Sequence, residues 1–123
     1  MSRMAEGEVR AQLVSELGRE SRLLAGREVY FDHEGFFWDA NDWSEEIAGI
    51  LIQESGLAKV SETHWMVLRF FREYYFYHGR APLNRHLKEG TALSLKTLEG
   101  LFSGGIRLGA RRLAGLPNPK SCF

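Results

Sequence analysis

Apolar positions recur along this chain with two periods, and the change from one to the other marks its elements. Val9, Leu13 and Leu17 fall at helical spacing with charges between them, so residues 1–27 read as an N-terminal extension with helical potential. Residues 28–38, EVYFDHEGFFW, are β-branched and aromatic on either side of Asp32-His33-Glu34-Gly35. That pattern predicts a short β-hairpin with Gly35 in its turn. Two strands are marginal alone, so the apolar face should rest on helices. Asn41 or Asp42 can cap a helix running to about Ser55, with Glu45 and Glu46 in the first turn, where the helix dipole favours acids. Ile47, Ile50 and Leu51 form its apolar stripe, and Gly56 is its stop.

Ser61 is placed to cap a longer helix through about His78, ended by Gly79. Leu68, Phe71 and Tyr75 line one face and Val67, Phe70, Tyr74 and Tyr77 the next, so this reads as the central helix of the core. Core packing is the better account of these aromatics than a base-stacking platform. Pro82 suits the first position of a short helix. Thr91–Phe102 and Ile106–Ala114 predict two more helices, broken by Gly104-Gly105. Pro117 and Pro119 disfavour helix for themselves and for their predecessors, so residues 115–123 read as an extended arm. At about 3.1 Å per residue, that arm could carry Cys122 on the order of 19 Å from Leu116.

Composition narrows the class. The 123 residues suit one domain, 28–114, between the extension and the arm. An apolar fraction of 44% with 12% aromatics fits a globular core. The formal net charge is zero, which gives no reason to expect non-specific attraction to nucleic acid or membrane. Charge is unevenly spread: residues 28–62 hold nine of the sixteen acids and one base, Lys59. Residues 101–123 hold Arg107, Arg111, Arg112 and Lys120 and no acid, a basic end suited to an acidic partner or an anionic sulfur species. No run of 18 apolar residues occurs, so the expectation is a soluble cytoplasmic protein. His33, His64, His78 and His86 lack paired ligand spacing, no metal site is expected, and no bound cofactor is required. His64 before Trp65 reads as a packed or capping histidine.

The single cysteine, Cys122, is the penultimate residue, beyond two prolines and poorly placed for a core. It has no intramolecular disulfide partner. Nearby cations would favour its nucleophilic thiolate, and Arg111, Arg112 and Lys120 are the candidates. Such a thiol can take a sulfane sulfur from one partner and yield it to another, cycling between thiol and persulfide.

The terminal run Ala114-Gly115-Leu116-Pro117-Asn118-Pro119-Lys120-Ser121-Cys122-Phe123 resembles the end of the DsrC/TusE family of sulfur-relay proteins. Gly35-Phe36, Asp42-Trp43, His64-Trp65, Arg72-Glu73-Tyr74-Tyr75, Ala81-Pro82 and Leu101-Phe102 are also similar, so the likeness spans about residues 28–123. The resemblance implies an α+β fold: a mainly helical bundle with a small N-terminal β-hairpin or meander and an extended C-terminal arm. It carries the family's sulfur-binding cysteine to Cys122. Members tied to dissimilatory sulfur metabolism have a second cysteine eleven positions earlier, where this chain has Arg111.

That substitution leaves the single-cysteine pattern of TusE-like members. It implies a persulfide carrier between an upstream sulfurtransferase (TusBCD/DsrEFH-like) and a downstream acceptor such as a tRNA thiouridylase, for tRNA 2-thiouridine synthesis. The run Ser103-Gly104-Gly105-Ile106-Arg107-Leu108-Gly109 departs from the family's turn before the arm. Two other readings compete. One is a regulatory, nucleic-acid-binding module using Arg69, Arg72, Arg80, Arg85 and Lys88 in a helix-turn-helix. The other is a structural subunit of a sulfur enzyme in which Cys122 is dispensable.

Overall fold

Antiparallel strands β1 (Arg19–Leu24) and β2 (Arg27–Asp32) open the fold in the computed structural model, which describes residues 18–118. Ala25 and Gly26 join them at φ of 51° and 76°. Positive φ at both central residues matches the twist of a two-residue hairpin. The hairpin thus lies one strand earlier than expected. β2 is the predicted first strand, and the predicted second strand is reduced to a bridge between Phe31 and Phe37. Asp32 Oδ1 accepts from the amides of Glu34 and Phe36, at 2.9 Å each, and closes the turn. Beyond it the Trp38 amide still donates to the Tyr30 carbonyl at 2.9 Å, but Asp39 then caps the 3-10 turn Ala40–Asp42 and the strand goes no further. β1 falls inside the stretch read as the extension; Val9, Leu13 and Leu17 lie outside the described residues.

Helix α1 (Glu45–Glu54) is capped by Ser44, whose Oγ accepts from the Ile47 amide, and not by Asn41 or Asp42. Those two belong to a 3-10 turn, Ala40–Asp42, with its own cap at Asp39. Trp43 is extended and separates the two elements. Ile47, Ala48 and Ile52 are the buried face of α1, with Ile50 and Leu51 at its margin.

Helix α2 (Glu62–His78) runs as predicted from Ser61 to Gly79, which is left-handed at φ 77°. His64 is the expected capping residue. Its Nδ1 accepts from the Ser61 amide at 3.1 Å. Its Nε2 lies 2.9 Å from the Leu101 carbonyl, which fixes the proton on Nε2 as the donor there. Val67, Leu68 and Phe71 are buried, but Tyr77 is 85% exposed, so the apolar face stops a turn short of the helix end. Tyr74 is half-buried and lies between the rings of His78 and His86, at 4.1 and 4.9 Å.

Helix α3 (Asn84–Thr91) starts two residues after the buried Pro82 rather than at it. Thr91 ends α3 instead of opening the next helix, its hydroxyl donating to the Leu87 carbonyl at 2.6 Å. Helix α4 (Leu95–Leu101) is capped by Ser94. After the predicted break, Gly105–Arg111 is a π-helix rather than the expected α-helix. Glycine permits it: a Cβ on Gly104 would strike the backbone of Leu108 and Gly109 across the wide turn.

Two clusters form the core. Ile52, Val67, Leu68, Phe71, Leu87, Leu98, Phe102, Ala110, Leu113, Ala114 and Leu116 make the larger. Leu24, Val29, Phe31, Phe37 and Ile47 join the hairpin to α1. The architecture is the expected α+β one, mainly helical with a small hairpin. Among the described residues, no helix is long and apolar enough to cross a membrane.

Candidate functional site: the root of the C-terminal arm

A helix end leaves its last four carbonyls without intrahelical partners. Here Gly115 is left-handed at φ 79°, its amide donates to the Arg112 carbonyl at 3.1 Å, and the Leu116 amide donates to Arg111 at 3.4 Å. This pairing is the Schellman end of a helix, with Gly115 and Leu116 as the two residues past the cap. Trp43 Nε1 donates to the Leu113 carbonyl at 2.8 Å, and Arg72 Nη1 to that of Ala114 at 2.9 Å. Four carbonyls in succession are satisfied, two of them by side chains from distant elements.

Arg72 also donates to the Ala40 carbonyl at 3.0 Å, and its guanidinium lies 4.3 Å from the centre of the Trp43 ring. Burial lowers its pKa below the ordinary value. It is therefore a clamp on the arm's root, not a nucleic-acid contact. Arg69 likewise pairs with Glu45 and Glu62. The helix-turn-helix reading loses these two cations to structural roles.

Beyond the cap, the chain does not leave the surface at once. Leu116 is fully buried in the larger core cluster and Asn118 is only 4% exposed. Asn118 Nδ2 donates to Asp32 Oδ2 at 2.9 Å and to Glu34 Oε1 at 2.8 Å. Arg107 Nη2 joins Glu34 Oε1 at 3.0 Å and approaches Asn118 Oδ1 at 3.5 Å. Arg112 Nη1 donates to the Glu34 carbonyl at 3.1 Å. Arg107 lies within the π-helix and Arg112 caps it, so that one short element supplies both cations. The basic end thus engages the acidic turn of its own chain.

The sequence-predicted residues divide accordingly. Arg112 sits in this cluster and Arg111 is half-buried beside it, while Lys120 and Cys122 lie outside the described residues. Trp43, Asn118 and Asp32 were not singled out as site residues by sequence reasoning, and Arg72 was named only as a nucleic-acid contact. The available signal was that Trp43, Arg72 and Asn118 stand in the runs that resemble the family.

Next to the root opens a cavity of about 340 Å³, lined in part by Arg22, Asp32, His33, Glu54 and Arg112. Arg22 and Glu54 meet across it in a two-pronged pair at 3.0 and 2.7 Å. No group of three or more metal-binding side chains occurs among the described residues.

A hairpin packed on a helical bundle that ends in a clamped, proline-bearing arm defines a known class of fold. The solved structure of dissimilatory sulfite reductase I (DsrI) superposes with a TM-score of 0.77 at 32% identity, covering 85% of this chain and all of that one. The gamma subunit of dissimilatory-type sulfite reductase from Nitratidesulfovibrio vulgaris is 33% identical over 97 residues, 79% of this chain and 92% of the relative. The sulfurtransferase TusE of Escherichia coli CFT073 is 32% identical over 108 residues, covering 82% and 98%. Residues 23–123 match the model of the DsrC-like proteins, and the chain belongs to that family.

Proposed function

We propose that this chain is a persulfide carrier of a sulfur relay, with Cys122 as the residue that accepts and donates sulfur. The observation that carries the reading is the cysteine count set beside the family membership. Cys122 is the only cysteine, and Arg111 stands eleven positions before it, where two-thiol members have their second cysteine. A chain so built has no internal thiol with which to expel a bound sulfur.

The chemistry is an exchange. The Cys122 thiolate attacks the terminal sulfur of a donor persulfide, the donor's S–S bond breaks, and the donor leaves as a thiolate. Cys122 then carries the persulfide until an acceptor thiolate attacks its outer sulfur and releases Cys122 in its original form. The donor would be an upstream sulfurtransferase and the acceptor a tRNA thiouridylase, as in the TusE-like branch. Lys120, two residues from Cys122, would be the nearest cation in sequence. Arg111 and Arg112 would act on the sulfur only when the arm lies against the domain.

The test is intact-mass spectrometry after incubation with a persulfide donor, comparing the native chain with Cys122→Ser. The expected result is one added sulfur atom, removed by reductant and absent from the variant. No added sulfur in the presence of a competent donor refutes the carrier reading. The gamma-subunit relative favours a second reading, a structural subunit of a sulfite reductase, and full pathway function of Cys122→Ser would support it.

A further inference from the structure

Asn118 is a buried amide at the point where an arm built to present a terminal residue would be expected to be exposed. Its two acceptors, Asp32 and Glu34, belong to a turn held rigid by Asp32's own bonds to the Glu34 and Phe36 amides. Glu34 is held in turn by Arg107, and its carbonyl by Arg112. One side-chain amide therefore ties the chain, after Leu116, to a turn more than 80 positions earlier in sequence. Arg107 comes from the run 103–109, where this chain departs from the family pattern.

We propose that Asn118, with Asp32, Glu34 and Arg107, is the pivot of the arm, a positioning site that sets where Cys122 can be presented. The proposal rests on the carrier reading for its purpose but not for its geometry. Cys122 is four residues beyond Asn118, and a fully extended chain spans at most about 3.5 Å per residue. With the pivot held, Cys122 stays within about 14 Å of the fixed position beside Asp32 and Glu34. With it lost, the next fixed point is Leu116 and the limit becomes about 21 Å. The pivot also fixes the direction of departure, beside the Asp32–Phe36 turn. A partner would meet the sulfur there and not around the whole end of the domain.

Two measurements test this. A nitroxide on Cys122 reads the geometry through relaxation enhancement at the amides of residues 33–36, and needs no sulfur chemistry. Strong broadening is expected in the native chain. It should weaken in Asn118→Ala and weaken further in Asn118→Asp, which sets a third carboxylate against Asp32 and Glu34. In Asn118→Asp/Asp32→Asn/Glu34→Gln the donor and both acceptors are exchanged, with Oδ1 at position 32 still free to accept from the Glu34 and Phe36 amides, and the broadening should return. This triple variant keeps the side-chain bulk, so it decides the matter even where Asn118→Ala fails to fold.

The second measurement is sulfur transfer from a persulfide donor. The longer span from the last fixed point in Asn118→Ala should raise KM about twofold with kcat unchanged, and the exchanged triple variant should restore it. Equal broadening in the native chain and Asn118→Ala, or no recovery in the exchanged triple variant, overturns the pivot. Loss of all transfer in the native chain, with the broadening pattern intact, would instead strike the carrier reading alone.

Discussion

Replacing Gly115 with alanine tests the helix end from which the arm departs. Gly115 has φ 79°, and a Cβ there would collide with the Trp43 ring, which is itself held by its bond to the Leu113 carbonyl. The left-handed backbone costs an L-residue about 1–2 kcal/mol. Overpacking against a ring that cannot retreat adds about 1–3 kcal/mol. Gly115→Ala should therefore lose about 2–5 kcal/mol in all. Gly26→Ala is the matched control, because Gly26 has φ 76° and open space where a Cβ would go. It should lose only the conformational part, about 1–2 kcal/mol. Urea unfolding followed by far-UV circular dichroism gives both values by linear extrapolation. At about 4–8 °C per kcal/mol for a domain of this size, Gly115→Ala should also melt at least about 8 °C lower. Equal losses in the two variants would refute the contact with Trp43. A loss below about 0.5 kcal/mol in Gly115→Ala would refute the left-handed cap itself.

Three further outcomes follow from the same packing. Arg72→Met strips donors from the carbonyls of Ala114 and Ala40 and should cost about 2–4 kcal/mol by chemical denaturation. Arg72→Lys should recover less than half of that, because the two acceptors need the planar fork. Gly90→Ala drives a Cβ into the Phe70 ring and should cost about 1–3 kcal/mol despite better helix propensity, with the sign reversing in a Phe70→Leu background. The Arg22 hydrogen bond holds the Glu54 carboxyl below its ordinary value of 4.5. A depressed carboxyl stabilises above its unfolded pKa, and that stability is lost as pH falls through the folded one. Both side chains are exposed, so Glu54→Gln should remove less than about 1 kcal/mol, seen as a flatter acid limb in urea midpoints against pH and fading in high salt.

How much of this was legible in the sequence depended on how local its cause was. Helix α2 could be read end to end because Ser61, Gly79 and the spacing of Val67, Leu68 and Phe71 all lie within it. The cap of α1 was misplaced because Asp39, Asn41, Asp42 and Ser44 are all competent caps, and only the extended Trp43 decides between them. Strand β1 was hidden because Arg19-Glu20-Ser21-Arg22 carries no apolar alternation; its pairing to β2 comes from the Ala25-Gly26 turn. The glycines of 104–109 announced a break, but not that they admit a wider helix across it. The arm's terminal motif was plain as a pattern. Its physical content was not, because Asn118 meets Asp32 and Glu34 across 86 and 84 positions, a closeness that no spacing rule reports.

These distant contacts bear on what the arm gains by being tied down. Moving the last fixed point from Leu116 to Asn118 takes the distance along the chain to Cys122 from six residues to four, which changes the entropic cost of meeting a fixed point by at most about 0.4 kcal/mol, less than twofold in effective concentration. Concentration alone is thus a weak reason to bury an amide against two carboxylates, a site that costs desolvation unless every partner is met. Direction is the stronger one. Gly115 turns the chain out of the helix, Trp43 and Arg72 hold the carbonyls on one side of that exit, and Asn118 holds the other. Both the helix end and the Asp32–Phe36 turn would have to shift before the exit could rotate. Arg107, from the π-helix Gly105–Arg111, ties them further through Glu34.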